Sequence, residues 1–316
     1  MHDIDRRPAA IFLMGPTASG KTALACRLAE RFKVDLVSVD SALIYRGLDV
    51  GAAKPDAATL ARFPHRLIDI REPTAPYSAA DFRRDALLAM NEITAAGHVP
   101  LLVGGTSLYF RALAWGLAPL PDADPELRQR LSDEAARLGW PALHARLAAF
   151  DSQSAARLSP NDAQRIQRAL EIAELTGEPP SRLLEHGMQR PPFRILKLAL
   201  QPAQREVLHE RIAQRMDLML DAGLVEEARR LRELSGWHPD LPAMRAVGYR
   251  QAWPYLAGQS SLAEFRQRAI FATRQLAKRQ LTWLRGEIDA QSLDSERVDL
   301  VDAASARLGR FLSVAA

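Results

Sequence analysis

Cysteine is almost missing from this chain: Cys26 is the only one in 316 residues. That excludes a disulfide framework and a cysteine-rich zinc site. No apolar run approaches the roughly 20 residues that span a bilayer. The opening Met1–Arg7 enters the first strand without a secretory hydrophobic segment. Repeats and low-complexity tracts are lacking too. Acidic residues are scarce over one long stretch. From Arg245 to Arg285, eight cations (Arg245, Arg250, Arg266, Arg268, Arg274, Lys278, Arg279, Arg285) face only Glu264. With Trp253, Tyr255, Phe271 and Trp283 interleaved, this stretch suits a polyanion, or else a solvated helix face over core aromatics. The rest, 47% hydrophobic and 25% charged, is the composition of a soluble globular protein. A cytoplasmic protein is expected, with one large domain carrying an insertion, or two domains.

The most informative feature present is Gly15-Pro16-Thr17-Ala18-Ser19-Gly20-Lys21-Thr22. It fits the phosphate-cradling pattern G-x-x-x-x-G-K-[ST]. Ala10–Met14 before it reads as a buried strand and Ala23–Ala29 after it as a helix. The glycines let successive N–H groups curl toward an anion, and the helix adds its positive end. Lys21 supplies a full charge, and the Thr22 hydroxyl can hold Mg²⁺. A di- or triphosphate is the expected ligand.

The pattern along the chain predicts an α/β protein: a P-loop NTPase-like parallel sheet core with helices on both faces. Strands are expected at Val34–Val39, His65–Ile70, Val99–Val103 and Arg194–Leu200, with a helix from Ala79 to Ala96. Proline clusters flank a helical insertion over 119–192. Within it, Asp124 caps a helix that has Pro125 in its first turn, and a second helix runs from Asn161 to Thr176. Residues 1–118 and 193–316 then form the core with a helical C-terminal extension. From Pro202 onward everything reads as helix, the last long one spanning Leu262 to Arg285 with Ile270, Ala277, Leu281 and Leu284 on one face.

Open α/β sheets put their chemistry at the carboxyl ends of their strands. Asp40-Ser41 ends one strand and Gly104-Gly105-Thr106 another. A nucleotide-hydrolysing motor would usually carry an Asp at the second position, for metal and water; glycines there favour an acceptor that approaches the backbone closely. Asp40 is the candidate general base, with a metal ligand or a helix cap as the other readings. Asp69 ends a further strand and reads as structural. Arg211 and Arg215 share a helix face; one of them reaches a departing phosphate, or both are solvated.

Several separated segments together resemble the tRNA dimethylallyltransferases, also called tRNA isopentenyltransferases. Besides the phosphate loop these are Asp40-Ser41-Ala42-Leu43-Ile44-Tyr45-Arg46, Val103–Tyr109, Asn161–Leu170, Ala246–Gln251 and Lys278–Arg285. The resemblance implies transfer of a dimethylallyl group from dimethylallyl diphosphate to N6 of the adenosine on the 3′ side of the anticodon in tRNA. It implies that Gly15, Pro16, Thr17, Ala18, Ser19, Gly20, Lys21 and Thr22 hold the prenyl diphosphate in place of ATP, with Mg²⁺ as cofactor at Thr22. Asp40, Thr106 and Arg215 match catalytic positions, Asp40 as base toward the amine and Arg215 at the diphosphate. The implied tRNA contacts are Asp40, Ser41, Ala42, Leu43, Thr106 and Arg128, with Gln164, Arg165, Ile166, Gln167 and Arg168. To these it adds Arg245, Ala246, Val247, Gly248, Tyr249 and Arg250, and the run Lys278, Arg279, Gln280, Leu281, Thr282, Trp283, Leu284 and Arg285. Periodicity alone leaves the face of Gln164, Arg165 and Arg168 open between solvent and RNA. Position 246 is Ala where many relatives carry Cys, and the C-terminal zinc finger of eukaryotic relatives is missing, which points to a bacterial-type enzyme. The expected partners are the tRNA anticodon stem-loop and dimethylallyl diphosphate, with no membrane, and the expected state is a monomer.

Other readings of the same motifs are a small-metabolite kinase, a prenyltransferase acting on free AMP, and an RNA-binding module with a vestigial loop. The basic C-terminal helices speak against the first, and the tRNA-facing segments that the resemblance implies speak against the second. The intact Gly20-Lys21-Thr22 together with Asp40 speaks against the third.

Overall fold

A computed structural model describes residues 6–185 and 190–313; parts of the Met1–Arg7 segment and of the 119–192 insertion therefore lie outside the described residues. Six strands form one all-parallel sheet in the order β3-β2-β4-β1-β5-β6. They are β1 (Ala9–Met14), β2 (Val34–Val39), β3 (His65–Arg66), β4 (Val99–Gly104), β5 (Arg194–Gln201) and β6 (Gln291–Asp294). β1 sits in the middle and is buried on both faces, as its unbroken apolar run requires. Ile11 and Leu13 pack with Leu24 and Leu28 of the helix Lys21–Ala29, with Leu101 and Val103 of β4, and with Leu198 of β5. On the other face Phe12 meets Phe110, whose ring stacks on Trp283 of the helix Leu262–Arg285.

The chain forms two compact units. One comprises Met1–Leu113 and Pro192–Ala316, the other Ala114–Pro191. The second unit is helical and has its own core around Leu131, Leu143, Leu147 and Ile166. Asp124 caps the helix Pro125–Leu138 by accepting from Leu127 N, and Asp162 caps Ala163–Thr176 in the same manner.

Three expectations change. The strand expected at His65–Ile70 stops after two residues, because Leu67 and Asp69 adopt left-handed backbone (φ 64° and 55°). Asp69 therefore ends no strand; its carboxylate accepts from Lys54 Nζ at 2.5 Å. The region after Pro202 is not all helix, since β6 adds a sixth strand beside β5. Asp40–Leu43 forms a turn and starts no helix.

Candidate active site

Parallel register sets the site. Gly104 lies opposite both Met14 and Val39, and Met14 lies opposite Ala199. The ends of β1, β2 and β4 are thus level, so Gly15, Asp40 and Gly105 leave the sheet side by side. Glycine is required where the strands crowd: a Cβ on Gly104 would lie 2.0 Å from Val39 O, and one on Gly15 would lie 2.3 Å from Leu200 O.

The phosphate loop turns through left-handed backbone at Ala18 (φ 62°) and Gly20 (φ 86°) into the helix Lys21–Ala29. Ala18 is costly there, because a Cβ disfavours this conformation by about 1–2 kcal/mol, so the loop must be held by its surroundings. Lys21 Nζ donates to Pro16 O at 2.6 Å. Burial lowers the Lys21 pKa to about 8; nearby Arg215 pushes the same way and Asp40 opposes. Ser19 Oγ is buried without a hydrogen-bond partner among the described residues, and the Thr22 hydroxyl-bearing side chain is exposed in the first helical turn. Among the described residues no three His, Cys, Asp or Glu gather as a metal cage. The loop instead offers hydroxyl oxygens, a donor set that fits a hard cation bringing most of its ligands as water and substrate oxygen.

Asp40 is half-buried, and one carboxylate oxygen accepts from Ala42 N at 2.8 Å. This fixes the side chain and leaves its other oxygen without a hydrogen bond among the described residues. The carboxylate is coupled electrostatically to Lys21, Arg215 and the buried Tyr109. Thr106 joins it: its hydroxyl accepts from Ser41 N at 3.1 Å, and its own N–H donates to Val39 O. Of the two arginines on the helix Arg205–Asp221, Arg215 reaches the loop, donating to Thr17 Oγ1 at 3.4 Å; Arg211 turns to Ser295. Burial lowers the Arg215 pKa, and Asp40 opposes that.

The basic segments divide by exposure. Arg245, Arg250, Lys278, Arg279 and Arg285 are exposed and make no ion pair among the described residues. Arg266 pairs with Asp217, and Arg274 donates to His209 O. Of the aromatics in this stretch, Trp253 packs against Trp237, Tyr255 on Phe265 and Trp283 on Phe110. Phe271 alone is exposed, at 65%. Gly248, Tyr249 and Leu284 are buried, while Ala246, Val247 and Leu281 are half-buried. The Tyr249 hydroxyl donates to Glu227 at 2.5 Å. Thr282 donates back to Lys278 O within its helix. Gln280 faces the phosphate loop: its Oε1 accepts from Thr17 N and its Nε2 donates to Gly105 O, both at 2.9 Å.

Within the unit Ala114–Pro191, Arg128 and Arg168 both grip the buried Glu171, Arg128 through two hydrogen bonds. Gln167 donates to Arg128 O and Ser132 Oγ, and Ile166 is fully buried. Gln164 and Arg165 are exposed, Arg165 beside Asp162. Helical spacing gave no sign of which members of this run are tied into the unit.

Sequence reasoning missed Glu227. This buried carboxylate receives Asp49 N, Val50 N, Gly51 N and the Tyr249 hydroxyl, and so ties the loop after β2 to the 245–250 segment. Its signal was hidden, since a Glu among arginines on a helix looks solvated.

The IPP transferase family model matches residues 43–287. The chain is 59% identical to a tRNA dimethylallyltransferase from Thiobacillus denitrificans, covering 96% of this chain and 97% of the relative. It is 57% identical to one from Dechloromonas aromatica, covering 98% of each. Among solved structures it resembles the tRNA isopentenylpyrophosphate transferase of Bacillus halodurans at 35% identity and a TM-score of 0.69, over 97% of this chain and 96% of that one. It also resembles a eukaryotic dimethylallyltransferase described as acting on tRNA, at 25% identity and a TM-score of 0.81, over 97% of this chain and 80% of that one. With a model matched over most of its length and relatives this similar from end to end, the chain belongs to the IPP transferase family.

Proposed function

We propose that this protein transfers the dimethylallyl group of dimethylallyl diphosphate to the N6 amine of the adenosine immediately 3′ of the anticodon in tRNA, releasing diphosphate. The observation that carries the reading is the level placement of an anion-binding turn, a fixed carboxylate and a glycine-lined strand end, beside a helix that exposes cations without ion pairs among the described residues. Family membership supplies the substrate class.

The chemistry fits these residues. An exocyclic amine on adenine is a weak nucleophile, because its lone pair is drawn into the ring. Alkylating it needs a stabilised leaving group and a positioned base. Lys21, Arg215 and the N–H groups of the loop face the diphosphate, where negative charge grows as the allylic C–O bond breaks. Mg²⁺ held through Thr22 would neutralise further charge on that leaving group. Asp40, oriented by Ala42 N, takes the amine proton through its uncommitted oxygen as the new C–N bond forms. Thr106, held against Ser41, presents a hydroxyl at the acceptor side. The close approach expected at Gly104 and Gly105 is made by the protein itself, since Val39 O and Gln280 Nε2 fill the space that side chains there would take. An everted adenine costs little to supply from a single-stranded anticodon loop, at most a few kcal/mol. Arg245, Arg250, Lys278, Arg279 and Arg285 attract the RNA phosphates. The reading puts the enzyme in the cytoplasm, working as a monomer. No helix of the described residues is long and apolar enough to cross a membrane.

Incubation with Mg²⁺ and radiolabelled dimethylallyl diphosphate tests the reading, with unmodified tRNA or AMP as acceptor. Label in tRNA supports it. Label in AMP alone, or ATP consumption without transfer, overturns it.

A further inference from the structure

Gln280 lies in the long basic helix, flanked by exposed Lys278, Arg279 and Thr282. Its own carboxamide points the other way, and both of its ends are used. Thr17 N, in the middle of the phosphate loop, donates to Oε1; Nε2 donates to Gly105 O, at the end of β4. Thr17 is thereby gripped twice, through its backbone by Gln280 and through its hydroxyl by Arg215. The next residue is Ala18, the one loop residue other than glycine in left-handed backbone, so an anchor here opposes relaxation of the loop. Gly105 fits the same design: a Cβ on it would lie 2.3 Å from Gln280 Nε2 and 3.1 Å from Gly15 O.

We propose that Gln280 is a positioning residue of the diphosphate site and not a tRNA contact. Its carboxamide is a strut that fixes the phosphate loop against the strand end carrying Thr106. Diphosphate and acceptor are then held in one frame. The chemistry selects glutamine, because the strut needs an acceptor at one end and a donor at the other. Glutamate cannot donate to Gly105 O, lysine cannot accept from Thr17 N, and asparagine is one methylene too short. The proposal rests on the prenyl-transfer reading for the identity of the diphosphate, but the strut itself is tested by binding alone.

The probe is inorganic pyrophosphate with Mg²⁺, titrated calorimetrically into the full chain, with tRNA binding measured in parallel across a salt series. Gln280→Met keeps the length and loses both hydrogen bonds. It is expected to weaken pyrophosphate binding about tenfold and to raise the KM for dimethylallyl diphosphate. Its tRNA affinity and salt slope should stay within twofold of the parent. If Gln280→Met does not fold, Gln280→Leu, neutral and without either the donor or the acceptor, serves in its place with the same expectation. Unchanged pyrophosphate binding with weakened tRNA binding, in whichever variant folds, overturns the proposal. A parent protein that binds pyrophosphate yet transfers no prenyl group would refute the functional reading and leave the strut to be judged on the binding data.

Discussion

Removing the Glu227 carboxylate should be among the most damaging single changes outside the hydrophobic core. Glu227 is 2% exposed. Oε2 receives Asp49 N at 3.0 Å and Val50 N at 2.8 Å, while Oε1 receives Gly51 N at 3.0 Å and the Tyr249 hydroxyl at 2.5 Å. Glu227→Ala leaves three amides and a hydroxyl without their acceptor. Each unpaired buried donor costs about 1–3 kcal/mol, and water entering the small void recovers part of that. A loss of about 4 kcal/mol is expected, in the range of other broken buried networks. Glu227→Gln is instructive. With its NH₂ in place of Oε1, the Tyr249 hydroxyl can rotate to accept from it, which keeps that contact with its direction reversed; Gly51 N and the Tyr249 O–H hydrogen lose their acceptor, and about 2 kcal/mol is lost. Urea denaturation followed by tryptophan fluorescence measures both. Because Gly51 packs against the Tyr249 ring, where a Cβ would come within 2.6 Å, loosening this joint should also disturb the Arg245–Arg250 segment and weaken tRNA binding. A Glu227→Ala protein within about 1 kcal/mol of the parent would refute the reasoning.

Two further outcomes follow from the same geometry. In the helical unit, burial opposes ionisation of Asp151, but hydrogen bonds from Ser154 and Ser181 outweigh it and lower its pKa to about 2. The folded carboxylate thus holds a proton less tightly than the unfolded one. Its contribution is complete above the ordinary carboxylate range and is lost as pH falls from about 4 toward 2, by at most about 1.4 kcal/mol per pH unit. The stability gap between the parent and Asp151→Asn, measured by denaturation at each pH, should shrink over that interval; a constant gap contradicts it. Replacing Lys278 and Arg279 together by Ala should flatten the dependence of log K on log salt for tRNA by up to about two, one for each phosphate left without its cation. An unchanged slope would remove this surface from the RNA interface.

The legible parts of this molecule were those whose signal is local. The phosphate loop carries its geometry in its glycines and lysine. β1, β2, β4 and β5 are short, mostly apolar segments because the sheet buries them on both faces. β6 escaped notice because Gln291-Ser292-Leu293-Asp294 offers one buried side chain and is defined by pairing with β5, not by a pattern of its own. His65–Ile70 reads like a strand, yet the left-handed backbone at Leu67 and Asp69 turns the chain away, and Lys54 collects the Asp69 carboxylate. Strand-end logic brought Asp40 and Thr106 to the phosphate loop and offered Arg215 as one of two arginines, and the structure places all three beside that loop, but that logic could not divide a basic segment into its outward and inward members. Tyr249 and Gln280 sit among cations in sequence, and both spend their polar groups inside the protein. Only long-range packing separates them from Arg250 and Lys278.

The most direct test of the account replaces Asp40 with Ala and follows single-turnover transfer of label from dimethylallyl diphosphate to bound tRNA. Loss of a positioned base should slow the chemical step about 10²–10⁴-fold, while pyrophosphate and tRNA affinities remain close to those of the parent. Transfer at the parental rate would contradict the claim that the carboxylate beside the phosphate loop takes the proton.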